Sequence, residues 1–278
     1  MQATTRLAQL LRQPGLLVAP GCHDALGARI IEQAGFKAVY MTGNGLSASL
    51  LGAPDIGLLT MSEMIARGRG IAAAIDVPLI ADADTGYGNL NNVVRTIQEY
   101  EAAGVAAVHL EDQVTPKKCG AMKGLALVSP EEHADKIRAA VAARKDPDFL
   151  IIGRSDARIP NGFNDALRRG QLYAEAGADL VLLEMLQSVD EMREAVASIG
   201  KPLVFNYVEG KVPALKAAEF EALGFKLLNY PVSSTLAYAR MMRDFAQALQ
   251  RDGITLQSGP AQLDLHEYEG VLGLERYL

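Results

Sequence analysis

Residues 78–89 read PLIADADTGYGN, and the fold turns on them. The opening Pro78-Leu79-Ile80-Ala81 is apolar, too short for a helix and bounded by proline, as in a buried strand. Two acids follow, Asp82 and Asp84, with Ala83 between them. Residues two apart in a strand point to one side, so both carboxylates face the same way where the strand runs out. Thr85-Gly86-Tyr87-Gly88-Asn89 then turns the chain. Like charges this close need a cation or a shared proton, unless the turn is simply solvated. Oxygen ligands on a rigid strand end suit a hard cation such as Mg²⁺, with Mn²⁺ as a substitute.

Working outward, the same kind of apolar run recurs eight times. The runs are 16–20 (LLVAP), 38–43 (AVYMTG), 78–84, 106–112 (AAVHLED), 148–156 (DFLIIGRSD), 180–185 (LVLLEM), 202–208 (PLVFNYV) and 225–230 (FKLLNY). Helix-like segments alternate with them at 25–34, 62–75, 91–103, 130–143, 165–176, 189–199, 214–223 and 234–251. Several close on a glycine, and Ser129-Pro130 makes a cap followed by proline at the first helical position. Eight strand–helix units with strands buried on both faces predict a parallel sheet closed into a (β/α)₈ barrel. A doubly wound open sheet competes, but Pro20-Gly21-Cys22-His23-Asp24 is not its Gly-rich phosphate turn. The chain is expected to form one domain over 1–278. An amphipathic helix ending at Pro14-Gly15 precedes the barrel, and the tail 257–278 shows little periodicity.

Composition narrows the function classes. The 278 residues are 49% apolar and 22% charged, ordinary for a globular protein. A net charge of −6 gives no basic footprint for nucleic acid or an anionic membrane. No run approaches a membrane span, and no secretory leader is visible. Two cysteines, Cys22 and Cys119, without paired spacing fit reduced thiols and a cytoplasmic location.

Active sites of such barrels lie at the C-terminal strand ends. Those ends carry Tyr40-Met41-Thr42-Gly43-Asn44, then Asp82 and Asp84, then His109, Glu111 and Asp112, then Arg154 and Asp156, then Glu184, Asn206 and Asn229. Strand parity puts Glu111 inward with the aspartates and Asp112 on the other face, with His109 one layer deeper. Arg154 is the natural clamp for a substrate carboxylate, or else an internal partner of Glu184 or Asp156. After strand 4 comes a long connection, VTPKKCGAMKG at 114–124, which reads as a lid. Lys117 and Lys118 beside Cys119 are expected to lower the thiol pKa and attract an anion.

These motifs resemble the isocitrate lyase / phosphoenolpyruvate mutase superfamily along nearly the whole chain. The resemblance rests on YMTG, on Asp55 in GAPDIG, and on DADTGYGN. It continues through HLEDQVTPKKCG, GRSDAR, Glu184 and Asn206. It implies a homotetramer, a dimer of dimers that exchange the last helix. It implies Mg²⁺ held by Asp82, Asp84 and Glu111, partly through water, with Asp55 nearby. It also implies a 2-oxo-acid site at Tyr40, Thr42, Gly43 and Asn44 that shares Asp82. The lid cysteine places the chain with the carbon–carbon lyases of the methylisocitrate or dimethylmalate kind. Ala121 departs from the histidine usual there. The implied reaction is cleavage of a small 2-hydroxy carboxylate to pyruvate or glyoxylate plus a carboxylic acid. Cys119 delivers a proton, with Lys117 beside it on the lid. Arg154, Glu184 and Asn206 hold the departing fragment, and Tyr40 or a metal-held water serves as base. Oxaloacetate decarboxylase or phosphonate chemistry at the same mouth, and an inactive metabolite-binding paralogue, are the alternatives.

Overall fold

The computed structural model describes residues 1–255 and 261–278. Its centre is a closed barrel of eight parallel strands paired in chain order, with the eighth returning to the first. The strands are β1 (Leu17–Cys22), β2 (Val39–Met41), β3 (Leu79–Asp82), β4 (Ala107–Glu111), β5 (Leu150–Ser155), β6 (Leu180–Leu183), β7 (Leu203–Asn206) and β8 (Leu227–Tyr230). Seven of them fall within a run picked out by apolar content, and β1 runs on past its own through Gly21 and Cys22.

The helices begin with α1 (Ala3–Arg12), α2 (Ala25–Gln33), α3 (Gly43–Leu51), α4 (Met61–Ala72), α5 (Leu90–Ala102) and α6 (Pro130–Ala143). They continue with α7 (Arg158–Asn161), α8 (Phe163–Glu175), α9 (Val189–Ser198), α10 (Ala217–Leu223), α11 (Ser233–Asp252) and α12 (Leu265–Leu272). Ser129 caps α6 by accepting from Glu132 N, with Pro130 at its first position, as the sequence predicts. Three helices, α3, the single-turn α7 and α12, go beyond the periodic segments read from sequence. Thr42 caps α3, and Asp264 with Glu267 closes a capping box on α12. The aperiodic tail begins in residues 256–260, which lie outside the described residues. Beyond them α12 lies against α2, with Gln33 Nε2 donating to Val271 O at 3.1 Å.

Strand parity divides the interior into two layers. Inward-facing Ala19, Tyr40, Ile80, Ala107, Ile152, Leu182, Val204 and Leu227 fill the barrel. Leu7, Leu10 and Leu11 of α1 pack against this group, as their helical spacing allows. Leu7 is fully buried, a contribution of about 1.5–3 kcal/mol from that side chain. Outward-facing Met41, Ala81, Val108, Ile151, Val181, Phe205 and Leu228 meet the helices. Gly153 and Gly170 bring α8 close to β5 and β6. A Cβ on Gly153 would stand 3.0 Å from that of Tyr173, and one on Gly170 2.9 Å from Leu183 Cδ2.

Register places the polar strand ends side by side. Asp82 pairs with His109, Glu111 with Arg154, and Asn206 with Asn229.

Candidate active site at the barrel mouth

The mouth is built from strand ends that continue the inward layer. Asp82, His109, Glu111, Arg154, Glu184, Asn206 and Asn229 are all buried there. Tyr100 OH donates to Asp82 O at 2.8 Å and fixes the end of β3. Strand parity does not bring the two acids together as expected, because β3 ends at Asp82 and Asp84 lies in the turn beyond it, with Asp84 N donating to Asp82 Oδ1 at 3.0 Å. Asp84 and Tyr87 in that turn have φ of 47° and 59°, left-handed values that non-glycine residues rarely hold. The start of α3 closes one wall. Gly43 lies so near Asp82 that a Cβ would fall 2.5 Å from its Oδ2. Thr42 and Asn44, at the start of α3, line the mouth, and helix N-termini carry free N–H groups that suit anions.

Tyr40 OH shares a hydrogen bond with His109 Nε2, and Asp82 Oδ1 stands 3.7 Å from His109 Nδ1. Burial drives the His109 pKa down to about 4 and pushes Tyr40 well above its ordinary value. On the opposite side Asn229 Nδ2 donates to Asn206 Oδ1 at 3.0 Å, and Asn206 Nδ2 donates to Glu184 Oε2 at 2.9 Å. Arg154 is surrounded by Asp156 (2.9 Å), Glu111 (3.2 Å) and Glu184 (3.8 Å).

The connection after β4 lies over this mouth. An antiparallel bridge between Gln113 and Leu127 closes its base, and Val128 N donates to Asp112 O at 2.9 Å. Thr85 Oγ1 and Thr115 Oγ1 are 2.8 Å apart. Lys117 Nζ sits between Asp55 Oδ1 (2.8 Å) and Asp84 Oδ1 (2.7 Å). Cys119 N donates to Asp55 O at 2.9 Å. Cys119, Gly120, Asp55, Tyr40, Asp82 and Arg154 then enclose a cavity of about 40 Å³. With the lid down it is too small to admit a di- or tricarboxylate from outside.

Contrary to expectation, the lysines do not lower the Cys119 thiol pKa. Lys117 is committed to Asp55 and Asp84, and Lys118 Nζ reaches Gly124 O at 3.2 Å. Burial raises the Cys119 pKa, and Asp55 and Glu184 add to the rise. The thiol therefore keeps its proton at neutral pH.

Six carboxyl groups (Asp55, Asp82, Asp84, Glu111, Asp156, Glu184) face two cationic side chains, Lys117 and Arg154. The imbalance shows in their protonation. Burial lifts Asp84 to about 6, Glu184 to about 7 and Glu111 well above the carboxylate range. Burial also pushes Asp82 up, but His109, Lys117 and Arg154 outweigh it and bring the group to about 2. Neither oxygen of Glu111 has a hydrogen-bond partner. Among the described residues no three His, Cys, Asp or Glu side chains stand close enough to bind one metal ion directly. The set instead fits a cation held by one or two carboxylates and reached by the others through water, the usual habit of Mg²⁺.

No motif gives Gln113 a role, and Asp112 is expected on the outer face. Parity does place Asp112 there. Its carboxylate accepts from Ser155 Oγ (2.8 Å), Asp156 N (2.8 Å), Arg169 Nη1 (3.0 Å) and Tyr173 OH (2.7 Å), which pins the end of β5 to that of β4.

A barrel mouth of buried acids under a thiol-bearing lid defines an enzyme of the lyase and mutase kind. The chain belongs to the phosphoenolpyruvate phosphomutase family, which matches residues 7–250, and so to the isocitrate lyase / phosphoenolpyruvate mutase superfamily. It is 48% identical over 277 residues to the 2,3-dimethylmalate lyase of Eubacterium barkeri, covering 99% of this chain and 96% of the relative. A structure of oxaloacetate acetylhydrolase with the inhibitor 3,3-difluorooxalacetate superposes with a TM-score of 0.95 at 35% identity, covering 99% of this chain and 95% of that one. A phosphonopyruvate hydrolase complex with oxalate and Mg²⁺ gives a TM-score of 0.90 at 36% identity, covering 100% and 97%.

Proposed function

We propose that this chain is a Mg²⁺-dependent carbon–carbon lyase. Its substrate is a 2-hydroxy di- or tricarboxylate like dimethylmalate or methylisocitrate. The products are a 2-oxo acid, pyruvate or glyoxylate, and a carboxylic acid. The observation that carries this reading is Cys119, a thiol kept protonated by burial on a lid that lies over the acids of β3 and β4.

Asp82, Asp84 and Glu111, with Asp55 beside them, would hold Mg²⁺ or Mn²⁺. When bound, the ion supplies positive charge that polarises the oxygens of the substrate's 2-hydroxy acid end. The first turn of α3, at Thr42, Gly43 and Asn44, receives that end's carboxylate. Tyr40 takes the hydroxyl proton while its own is passed to His109 Nε2, the acceptor that burial keeps neutral. The C2–C3 bond breaks with its electron pair moving to C3. Arg154 neutralises the carboxylate of that fragment, and Glu184 with Asn206 fixes its orientation. Cys119 protonates C3, and Lys117 keeps the lid tip seated on Asp55 and Asp84.

The protein is read as one barrel domain over 1–278 with a helical C-terminal extension, working in the cytoplasm, where two unpaired thiols persist. It has no nucleic-acid or membrane partner. Leu236, Tyr238 and Met241 are about half exposed on α11, which supports assembly into a homotetramer of helix-exchanged dimers.

The deciding experiment incubates the protein and Mg²⁺ with 2,3-dimethylmalate, 2-methylisocitrate, oxaloacetate and phosphonopyruvate in turn. Pyruvate plus an organic acid is expected from one of the first two. Pyruvate released with CO₂ or phosphate overturns the lyase reading in favour of a decarboxylase or a phosphonate enzyme. Oxalate and Mg²⁺ bound without turnover of any member overturns it in favour of a binding paralogue.

A further inference from the structure

We propose that Gln113 is a positioning residue that ties closure of the lid to the orientation of Arg154. The inference rests on the assignment of the mouth as a carboxylate-cleaving site. It adds a residue to which neither parity nor motif gives a task.

Gln113 follows Glu111 and Asp112 at the root of the lid and is 2% exposed. Both ends of its side-chain amide are engaged. Oε1 accepts from Lys118 N at 2.9 Å, while Nε2 donates to Lys118 O at 2.8 Å and to Asp156 Oδ2 at 2.9 Å. Lys118 is the residue between Lys117 and Cys119, so one side chain grips the lid backbone from both sides at its functional tip. The third bond leads inward. Asp156 Oδ1 accepts from Arg154 Nη2 at 2.9 Å and from Arg154 Nε at 3.2 Å. Asp156 thus holds Gln113 with one oxygen and Arg154 with the other. Lid backbone, Gln113, Asp156 and Arg154 form one buried chain of hydrogen bonds.

A second contact closes the same circuit. Gly120 lies directly on the far end of this chain. A Cβ there would stand 2.6 Å from Arg154 Nη2, 2.6 Å from Asp156 Oδ1 and 2.8 Å from Glu184 Cγ. The lid therefore touches Arg154 twice, through Gln113 and Asp156 and through its own backbone. Lifting the tip removes two of the three bonds of the Gln113 amide and uncovers the guanidinium together. Buried polar groups left unpaired are costly, so the amide and Asp156 rearrange, and Arg154 loses its fixed aim. Substrate bound under a raised lid then meets an arginine out of position, and cleavage waits for closure.

The donor pattern explains why an amide is needed. Gln113 faces two acceptors, Lys118 O and Asp156 Oδ2, and one donor, Lys118 N. A carboxylate of the same length keeps the bond to Lys118 N and turns both others into repulsions.

The test uses Gln113→Glu, which preserves size and shape, and Gln113→Ala. Hydrogen exchange is followed over residues 115–121 and over β4 and β5, with Mg²⁺ and oxalate present. The values of kcat and KM are measured on the substrate that the unaltered enzyme cleaves. Both variants should exchange faster in the lid and at the wild-type rate in β4 and β5. Their kcat should fall about 10- to 100-fold, with oxalate affinity changed about threefold or less. Unchanged exchange in the lid overturns the proposal. So does faster exchange spread through β4 and β5, which marks a merely structural role, and so does an open lid with wild-type kcat. If the unaltered protein cleaves no member of the substrate panel, the lyase reading fails, while the exchange comparison still decides whether Gln113 latches the lid.

Discussion

Adding one methyl group at residue 120 should disable the enzyme without unfolding it. Gly120 is buried and has no left-handed backbone angle, so Gly120→Ala brings contact and little backbone strain. The new Cβ would lie 2.6 Å from both Arg154 Nη2 and Asp156 Oδ1, where even a tight contact needs 3.0 Å and an ordinary one 3.4 Å. Neither neighbour can retreat, because Arg154 and Asp156 are paired at 2.9 Å, and Glu111 and Glu184 stand around the same guanidinium. The lid must therefore rise by about 0.4–0.8 Å beside Cys119. A misplacement of about 1 Å at reacting groups costs on the order of 10²-fold in rate. Gly→Ala where the backbone tolerates it also stiffens the unfolded chain by about 0.4–1 kcal/mol, which offsets part of the lost lid contact. Steady-state assays of pyruvate release should show kcat lowered about 100-fold, with the thermal midpoint within about 3 °C of wild type. Wild-type kcat/KM in Gly120→Ala would refute the closed lid as the catalytic state.

Three further outcomes follow from the mouth and the core. Cys119→Ser should lower single-turnover cleavage about 10²–10⁴-fold while calorimetric binding of oxalate stays intact, because in the proposed mechanism the thiol acts only on the departing carbanion; weakened binding with normal turnover would make it a pocket residue. Chelation with EDTA should abolish activity and Mg²⁺ or Mn²⁺ restore it, and Asp84→Ala should stay folded by circular dichroism but inactive; full activity in chelator-stripped buffer would remove the metal assignment. The third concerns His133, wholly buried with its ring 4.6 Å from that of Tyr173, whose pKa burial drives from 6.5 to about 3. Its folded pKa lies below its unfolded value, so the stability it permits is complete above pH 6.5 and is lost as pH falls toward 3. Between pH 7 and 4.5 urea unfolding of His133→Phe should lose on the order of 2–3 kcal/mol less than wild type, and parallel losses would refute this.

The barrel was legible because both strand signals survive in the local sequence: short apolar runs and polar strand ends. Parity also separates Glu111 from Asp112, but it does not account for Asp84, which a left-handed turn past the end of β3 brings to the mouth. Helix α3 was hidden behind Gly43-Asn44-Gly45, which reads as a turn. The Thr42 cap bonding to Gly45 N was the available signal. The capping box of Asp264 and Glu267 likewise marks α12 in a tail that shows little periodicity. What could not be read is anything set by residues distant in the chain. The lysines next to Cys119 suggest a depressed thiol pKa, yet the direction is set by burial of the lid tip in the mouth and by Asp55, 64 residues earlier in sequence. The four bonds of Asp112 depend on α8 approaching close enough for Arg169 and Tyr173 to arrive.

The left-handed turn at Asp84 bears on any attempt to engineer this protein. Holding a non-glycine residue at φ 47° costs about 1–3 kcal/mol, and its carboxyl is held among other acids. Glycine accepts that backbone freely and asparagine more readily than most, and glutamine at 111 would relieve a buried acid in the same way. A library selected for heat resistance alone should therefore accumulate its first gains at 84 and 111, where a sturdier barrel comes at the expense of turnover. Selection for thermostability in this scaffold has to be coupled to product formation from the first round.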